Sequence, residues 1–294
     1  MPVVNAAALS KMFSRTVIRE LTANGESTAL ARRMSQSGVF SASHQDCTLS
    51  QAFDQAYQIL EKRGLRDDYV YRNAVVRKKL LGHHTLNTAS MLSEFSIGMS
   101  RADLVLLNGT AMVYELKSER DSLTRLQGQM DDYRRVFAAA TVLTDQKHLL
   151  KVEKLVDASV GLAVLTARGR ISEIRPAAPT PERIDPSAVL DALRLQEALD
   201  VLRRMEIEAP DTTNTKIRGC IRSLFKGIDP VELHSALVEV LKSSRSLSPL
   251  KQLIPSLPDS LIAAVLPLGF KKESQWEKLL GSMETPLAEV MKWK

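Results

Sequence analysis

The sequence predicts a mixed α/β core, a sheet flanked by helices, followed by a separate all-helical C-terminal domain. Three observations lead there. Between about residues 88 and 174 the hydrophobic pattern leaves helical spacing for short, nearly continuous apolar runs, as strands do. Amphipathic helical stretches interleave with those runs, in the order helix, three strands, helix, strand, helix, strands, which fits a mixed sheet. After Pro176, Pro179, Pro181 and Pro186, which punctuate a linker, every segment reads helical. The expected boundaries are an N-terminal helix and arm over 1–48, the sheet-bearing core over 49–178, and the helical domain over 179–294.

The elements follow in order. Residues 5–21 read as a helix. The polar stretch after it, with Asn24-Gly25, Ser35, Ser37, Gly38, Ser41 and Ser43, has no clear period and reads as a loose arm. Leu49, Phe53, Tyr57 and Leu60 recur at helical spacing. A second helix covers 68–81, with Val70, Val75, Val76 and Leu80 inward and Arg72, Arg77, Lys78 and Lys79 outward. Strands are expected at 88–97, 102–107 and 112–117. The last two flank Asn108-Gly109-Thr110, where Asn and Gly tolerate the positive φ of tight hairpins. Asp121 or Ser122 can cap a helix whose apolar stripe is Leu123, Leu126, Met130, Tyr133 and Phe137. A strand at 139–143, a helix at 146–156, and strands at 161–166 and 170–174 about Gly169 complete the core. C-terminal helices are expected at 186–204, 214–225 and 230–243, with apolar positions at ordinary core spacing.

The hydrophobic fraction of 44% and charged fraction of 25% suit a globular chain, and exclude a wholly disordered, collagen-like or disulfide-scaffold protein. Cys47 and Cys220 are too few for a structural zinc site, which needs four ligands, and too far apart to suggest a disulfide framework. No uncharged apolar run reaches the roughly 18 residues that cross a bilayer. No basic segment precedes a sustained apolar stretch at the N-terminus. A cytoplasmic protein without a membrane partner is the expectation. The net charge of +6 and a pI of about 9.3 fit a polyanion partner without specifying one.

The chemistry concentrates in residues 101–133. Asp103 starts one apolar strand, and Glu115 and Lys117 lie near the end of the next. Alternation puts Glu115 and Lys117 on one face. Whether Asp103 joins them depends on the hairpin. A three-residue loop pairs 107 with 111, and so 103 with 115. A two-residue loop sets 103 against 114 and turns it to the other face. Two carboxylates and a lysine in a partly buried sheet are costly unless something bridges them. A hard divalent cation does so: Mg²⁺, with Mn²⁺ as a substitute, takes one or two carboxylates plus waters and phosphate oxygens. Metal-dependent phosphodiester hydrolysis is the chemistry implied, with Lys117 orienting water or neutralising developing charge.

Asp103, then Glu115-Leu116-Lys117 on the following strand, then Gln129 and Tyr133 spaced by four on a helix, resembles the PD-(D/E)xK nuclease superfamily. The last pair looks like the QxxxY element of its RecB-type members. The resemblance covers about residues 66–175 and implies a restriction-endonuclease-like sheet in a Mg²⁺-dependent nuclease acting on DNA. It implies Asp103 and Glu115 as metal ligands, helped by the Leu116 carbonyl, and Lys117 as the residue serving the nucleophilic water. Gln129 and Tyr133 would support the site, and Arg125, one turn earlier, would hold the nucleic-acid backbone. Ala102 stands where the family name has proline. The family's upstream glutamate has no counterpart on the helix over 68–81, so Glu94 is the best substitute, ahead of Glu61, Asp67 and Asp68. Arg77, Lys78 and Lys79, like Arg134-Arg135 and Arg203-Arg204, are candidates for phosphate contact, though such runs also occur simply as solvated helix faces. The rival reading is a non-catalytic nucleic-acid-binding or protein-interaction module on the same fold, with a protein partner at the C-terminal helices. His83-His84 with Asn87 lacks the further ligands of an HNH-type site and reads as a loop, and His44 with Cys47 forms an isolated pair. Neither a P-loop nor a GxSxG elbow is present.

Overall fold

The computed structural model describes residues 4–41, 47–213, 215–269 and 272–293; His44 lies outside them. The chain opens with α1 (Ala6–Met12), α2 (Arg15–Asn24), α3 (Thr28–Ser37), α4 (Leu49–Leu60) and α5 (Asp68–Val75), the last continued by a π-helical turn over Val76–Leu80. The helix expected over 5–21 is two helices, because Ser14 is extended, with φ −72° and ψ 152°. The expected loose arm contains α3 instead. Ser27 caps it by accepting from Leu30 N at 3.0 Å, and Leu30, Ala31 and Met34 are buried. Three apolar residues among serines and arginines leave little periodic signal. The fourth helix has the expected stripe and starts on a Thr48–Gln51 capping box.

Six strands follow: β1 (Ser90–Ile97), β2 (Ser100–Asn108), β3 (Thr110–Lys117), β4 (Ala139–Thr144), β5 (Gly161–Leu165) and β6 (Ile171–Arg175). They form one sheet in sequential order. The first three strands pair antiparallel, β3, β4 and β5 pair parallel, and β6 returns antiparallel. The parallel steps are bridged by α6 (Leu126–Arg134) and α7 (Leu149–Leu155). The chain therefore adopts the mixed α/β class that its hydrophobic pattern predicts. One cap differs. The sixth helix begins at Arg125 without a side-chain cap, while Asp121 Oδ2 accepts from Ser118 N at 2.7 Å and closes the turn after β3.

The helices α8 (Pro186–Ala192), α9 (Leu195–Arg204), α10 (Ile217–Phe225) and α11 (Pro230–Ser244) come next. The helix expected over 186–204 breaks where Leu193 and Arg194 are both extended. The proline-rich passage before it is hydrogen-bonded to the core: Ala178, Thr180 and Asp185 donate to the carbonyls of Ser159, Ala138 and Arg135 at 2.9, 2.8 and 2.9 Å. Leu190, Leu202, Ile221, Phe225, Leu237 and Leu241 share one buried cluster with Leu107, Val113, Val142 and Leu162 of the sheet. The compact units consequently cut across the boundaries at 48 and 178. One comprises residues 84–166 and 171–246; the other comprises 1–83, 167–170 and 247–294. The physical reason is that the apolar stripes of α8 to α11 need a partner, and one face of the sheet supplies it.

The other unit also holds α12 (Ile262–Val265), α13 (Glu273–Met283) and α14 (Leu287–Val290). Within it, the Tyr69 hydroxyl donates to the Ser260 carbonyl at 2.6 Å, and Asn73 Nδ2 donates to the Asp259 carbonyl at 3.2 Å. Among the described residues, no helix is long and apolar enough to cross a membrane.

One buried ion pair ties the C-terminal helices of the sheet-bearing unit together. Glu197, in the first turn of α9, accepts from Arg194 N at 2.9 Å and from Arg245 Nε and Nη2 at 2.7 and 2.8 Å. Arg245 lies just past α11, with its guanidinium 4.9 Å from the centre of the Phe95 ring on β1. Its carbonyl accepts from the Ser90 hydroxyl at 2.8 Å. Burial pushes the Glu197 carboxyl up, but the donors from Arg245 and Arg194 outweigh burial and hold it below its ordinary value of 4.5. Glu197→Ala leaves the half-buried guanidinium unpaired and is expected to cost about 3 kcal/mol in urea unfolding. Because the folded value is depressed, the stabilisation is complete above pH 4.5 and lost as pH falls through that lower value. The wild-type and variant stabilities should converge only in acid.

Candidate functional site

The site is set by the turn between β2 and β3. Gly109 takes φ +68°, and Asn108 pairs with Thr110, Leu107 with Ala111, and Leu104 with Tyr114. This is the three-residue register, which carries 103 opposite 115. The ladder stops at Leu104 and Tyr114, and Asp103 Oδ2 then accepts from Leu116 N at 2.8 Å. The Asp103 carboxylate thus bonds to β3 where the strand pairing ends.

Glu115 is the centre of the arrangement. Only 1% of it is exposed, yet its two oxygens receive three donors. Lys117 Nζ donates to Oε1 at 2.6 Å, and Gln129 Nε2 donates to the same oxygen at 2.7 Å. The Tyr133 hydroxyl lies 2.7 Å from Oε2. Lys117 Nζ also donates to Gln129 Oε1 at 3.0 Å, closing a triangle. The sequence periodicities explain the convergence. Alternation along β3 brings Lys117 beside Glu115, and the four-residue spacing of Gln129 and Tyr133 aims both from one face of α6. Leu126 and Met130, also buried, dock that helix on the core.

The phenol of Tyr133 lies far above its ordinary value of 10. Burial is the first cause, followed by the charge of Glu115 and the hydrogen bond to it, then the charge of Asp103. Both carboxylates therefore act on the same hydroxyl. Tyr133 also lies 2.8 Å from the Arg101 carbonyl. Its one proton serves Glu115 or Arg101, not both at once.

The donor set leaves two openings. Ammonium has three N–H groups, and Lys117 uses two of them on Glu115 and Gln129. A carboxylate oxygen has two lone-pair directions; Oε1 of Glu115 uses both, whereas Oε2 uses one on Tyr133. Two carboxylates at a strand end fit what Mg²⁺ or Mn²⁺ takes from a protein, one or two carboxylates with the other positions left to water and phosphate.

Several expected residues stand elsewhere. Register places Glu94 across from Asp103, between the pairs Ser93–Leu104 and Phe95–Ala102. Its φ is +55°, however, and its half-exposed side chain lies 3.8 Å from Arg101. Among the described residues, no three His, Cys, Asp or Glu side chains form a group that could hold a metal ion, so Glu94 does not complete a three-carboxylate cage. Arg125 is exposed just before α6. Arg77, Lys78 and Lys79 belong to the other compact unit, where Arg77 pairs with Asp259. Arg134 and Arg135 pair with Asp157 and Asp185, and Arg203 and Arg204 with Asp200 and Glu239. Two contributors carry no sequence signal of their own. One is the Arg101 carbonyl. The other is Thr144 of β4, whose buried hydroxyl donates to the Lys117 carbonyl at 2.9 Å and fixes that backbone.

A family model described as bacteriophage P4 protein cII matches residues 61–251, which include the whole sheet and every residue of the cluster. A curated relative, protein cII of Enterobacteria phage P4, is 34% identical over 79 residues, 26% of this chain and 30% of its own length. The match thus spans less than a third of that relative. A solved protein of unknown function from Silicibacter pomeroyi aligns at 19% identity and a TM-score of 0.32, over 50% of this chain and 100% of its own.

Tyr133→Phe keeps the ring in the core but removes the hydroxyl that Glu115 and Arg101 share. The expected loss is about 1–3 kcal/mol of unfolding free energy. Since the folded phenol is raised, its stabilisation is complete below pH 10 and drains away above it. Absorbance titration of the folded proteins should give the same phenolate count for wild type and Tyr133→Phe up to about pH 11. An extra phenolate in wild type below that pH contradicts the buried, carboxylate-facing hydroxyl.

Proposed function

We propose that this chain, which belongs to the family described as bacteriophage P4 protein cII, hydrolyses phosphodiester bonds of DNA with the help of a divalent cation. The observation that supports the reading is the Lys117–Glu115–Gln129–Tyr133 cluster beside Asp103, where two β-strands stop pairing. Asp103 and Glu115, with the Leu116 carbonyl, would hold Mg²⁺ or Mn²⁺. Such an ion neutralises phosphate charge and acidifies water. The protein's own groups do the rest. Lys117, fixed by Glu115 and Gln129, turns its remaining N–H to a water or to a non-bridging phosphate oxygen as charge develops there. Gln129 keeps the lysine and the glutamate in register, and Tyr133 holds the second oxygen of Glu115. Arg125, exposed one turn before Gln129, is offered to the nucleic-acid backbone. Water adds to phosphorus, one P–O ester bond breaks, and the departing oxygen takes a proton.

Purified protein incubated with circular and linear duplex DNA should cut it in Mg²⁺ and not in EDTA. Lys117→Ala is expected to bind DNA within about 1 kcal/mol of wild type, because it removes one contact among many. Its cleavage should fall by about 10² to 10³, the effect of losing a group aimed at transition-state charge. Asp103→Ala should share that pattern, and thermal unfolding of each variant checks that it is folded. Cleavage by both variants at the wild-type rate contradicts the assignment. Wild type that binds DNA and never cuts it with Mg²⁺ or Mn²⁺ is a binding module.

A further inference from the structure

Met99 is 99% exposed, the most exposed of the large apolar side chains among the described residues. It lies at the tip of the β1–β2 hairpin. Ile97 pairs with Ser100, which leaves Gly98 and Met99 as a two-residue loop. Gly98 takes φ +56°, whereas Met99 is not among the positive-φ residues, the pattern of a type II′ turn with glycine first.

The sixth helix supports this turn from behind. The Ser100 hydroxyl donates to Asp132 Oδ2 at 2.6 Å, and a Cβ added at Gly98 would lie 3.3 Å from Asp132 Oδ1. Tyr133, the next residue, lies 2.8 Å from the Arg101 carbonyl. Two consecutive residues of α6 thus bond to the two residues that follow Met99, and Asp132 also lies close to Gly98 before it. An apolar side chain held out in water by a supported turn contributes nothing to folding, which gains from burying such groups. Arg101, with 64% of its side chain exposed and only a 3.8 Å contact to Glu94, sits two positions along, where a phosphate can compete for it.

From this geometry we propose that Met99 is a wedge that enters the base stack of duplex DNA at the margin of the catalytic site, with Arg101 on the adjoining phosphate. The proposal rests on the nuclease reading and names its substrate as a duplex that the protein opens locally. Proteins that kink or open a duplex use apolar side chains of this kind, methionine included, between base steps. The spacing fits. Asp103 lies four residues beyond Met99, about 13 Å along an extended strand. That is about four nucleotides of one strand at 3.4 Å each. The wedge would open the stack about that far from the bond to be broken, and its supported turn would enter without first having to be ordered.

The test uses the full chain and short duplexes carrying 2-aminopurine at successive positions, with Ca²⁺ replacing Mg²⁺ to hold back cleavage. Wild type should raise the emission at one position as the base unstacks. Met99→Ser should lose most of that rise and bind the duplex about tenfold more weakly, with an unchanged melting temperature. On a duplex already mismatched at that position the two proteins should bind within about twofold, since unstacking there costs least. Met99→Leu should restore the emission. Wild type that binds without any rise, or Met99→Ser that matches wild type in emission and affinity, overturns the wedge. Cleavage in Mg²⁺ separates the two readings. Protein that unstacks DNA but never cuts it contradicts the nuclease reading and leaves the wedge standing. Wild type and Met99→Ser that cut and unstack equally contradict the wedge alone.

Discussion

A carboxylate with 1% exposure must be matched by donors, and the donors that Glu115 draws in decide how helix and sheet meet. One comes from its own strand and two from α6, so the helix can dock in only one rotation without leaving the charge unpaired. The same helix reaches past the carboxylate. Tyr133 touches the Arg101 backbone and Asp132 holds Ser100, so the β1–β2 hairpin is carried by residues next to those that serve Glu115. A charge whose burial is costly by itself therefore specifies a geometry that apolar packing alone would leave loose.

The position of Asp103 depends on a smaller constraint. Gly109 at φ +68° allows Asn108 to face Thr110, and that parity carries Asp103 opposite Glu115. A loop of even length would have sent the aspartate to the other face of the sheet. Where the strands separate, the aspartate takes the Leu116 N–H that lies beyond the ladder, so the break leaves that donor satisfied and places a second carboxylate near the first. Thr144 on the neighbouring parallel strand fixes the Lys117 backbone from the other side.

Much of this was legible in the sequence because it depends on local periodicity. The apolar runs around Asn108-Gly109 predict the hairpin, and the four-residue spacing predicts that Gln129 and Tyr133 share a face. In the sequence the register stays open between two alternatives, since Asn-Gly suits loops of either length and only pairing with a neighbour decides. Glu94 illustrates a different limit: its register position is suitable, but a positive φ within β1 leaves it half exposed near Arg101, and no pattern of residue types announces that. The residues in α3 read as a loose arm because the serines and glycines around them interrupt the pattern, while the burial of Leu30, Ala31 and Met34 that holds the helix is tertiary. The boundary expected at 178 is a related case. Prolines end local elements, but they do not say whether the next helix packs on what came before, and Leu190, Leu237 and Leu241 pack in the core of the sheet.

Under the proposed function, Asp103 and Glu115 together hold a divalent cation that Lys117 works beside. Anomalous scattering from crystals soaked in Mn²⁺ tests it most directly. One strong peak is expected between the two carboxylates in wild type, absent from Glu115→Gln crystals soaked in the same way. Crystals that show no peak at those carboxylates at saturating Mn²⁺, or that keep the same peak in Glu115→Gln, would contradict it.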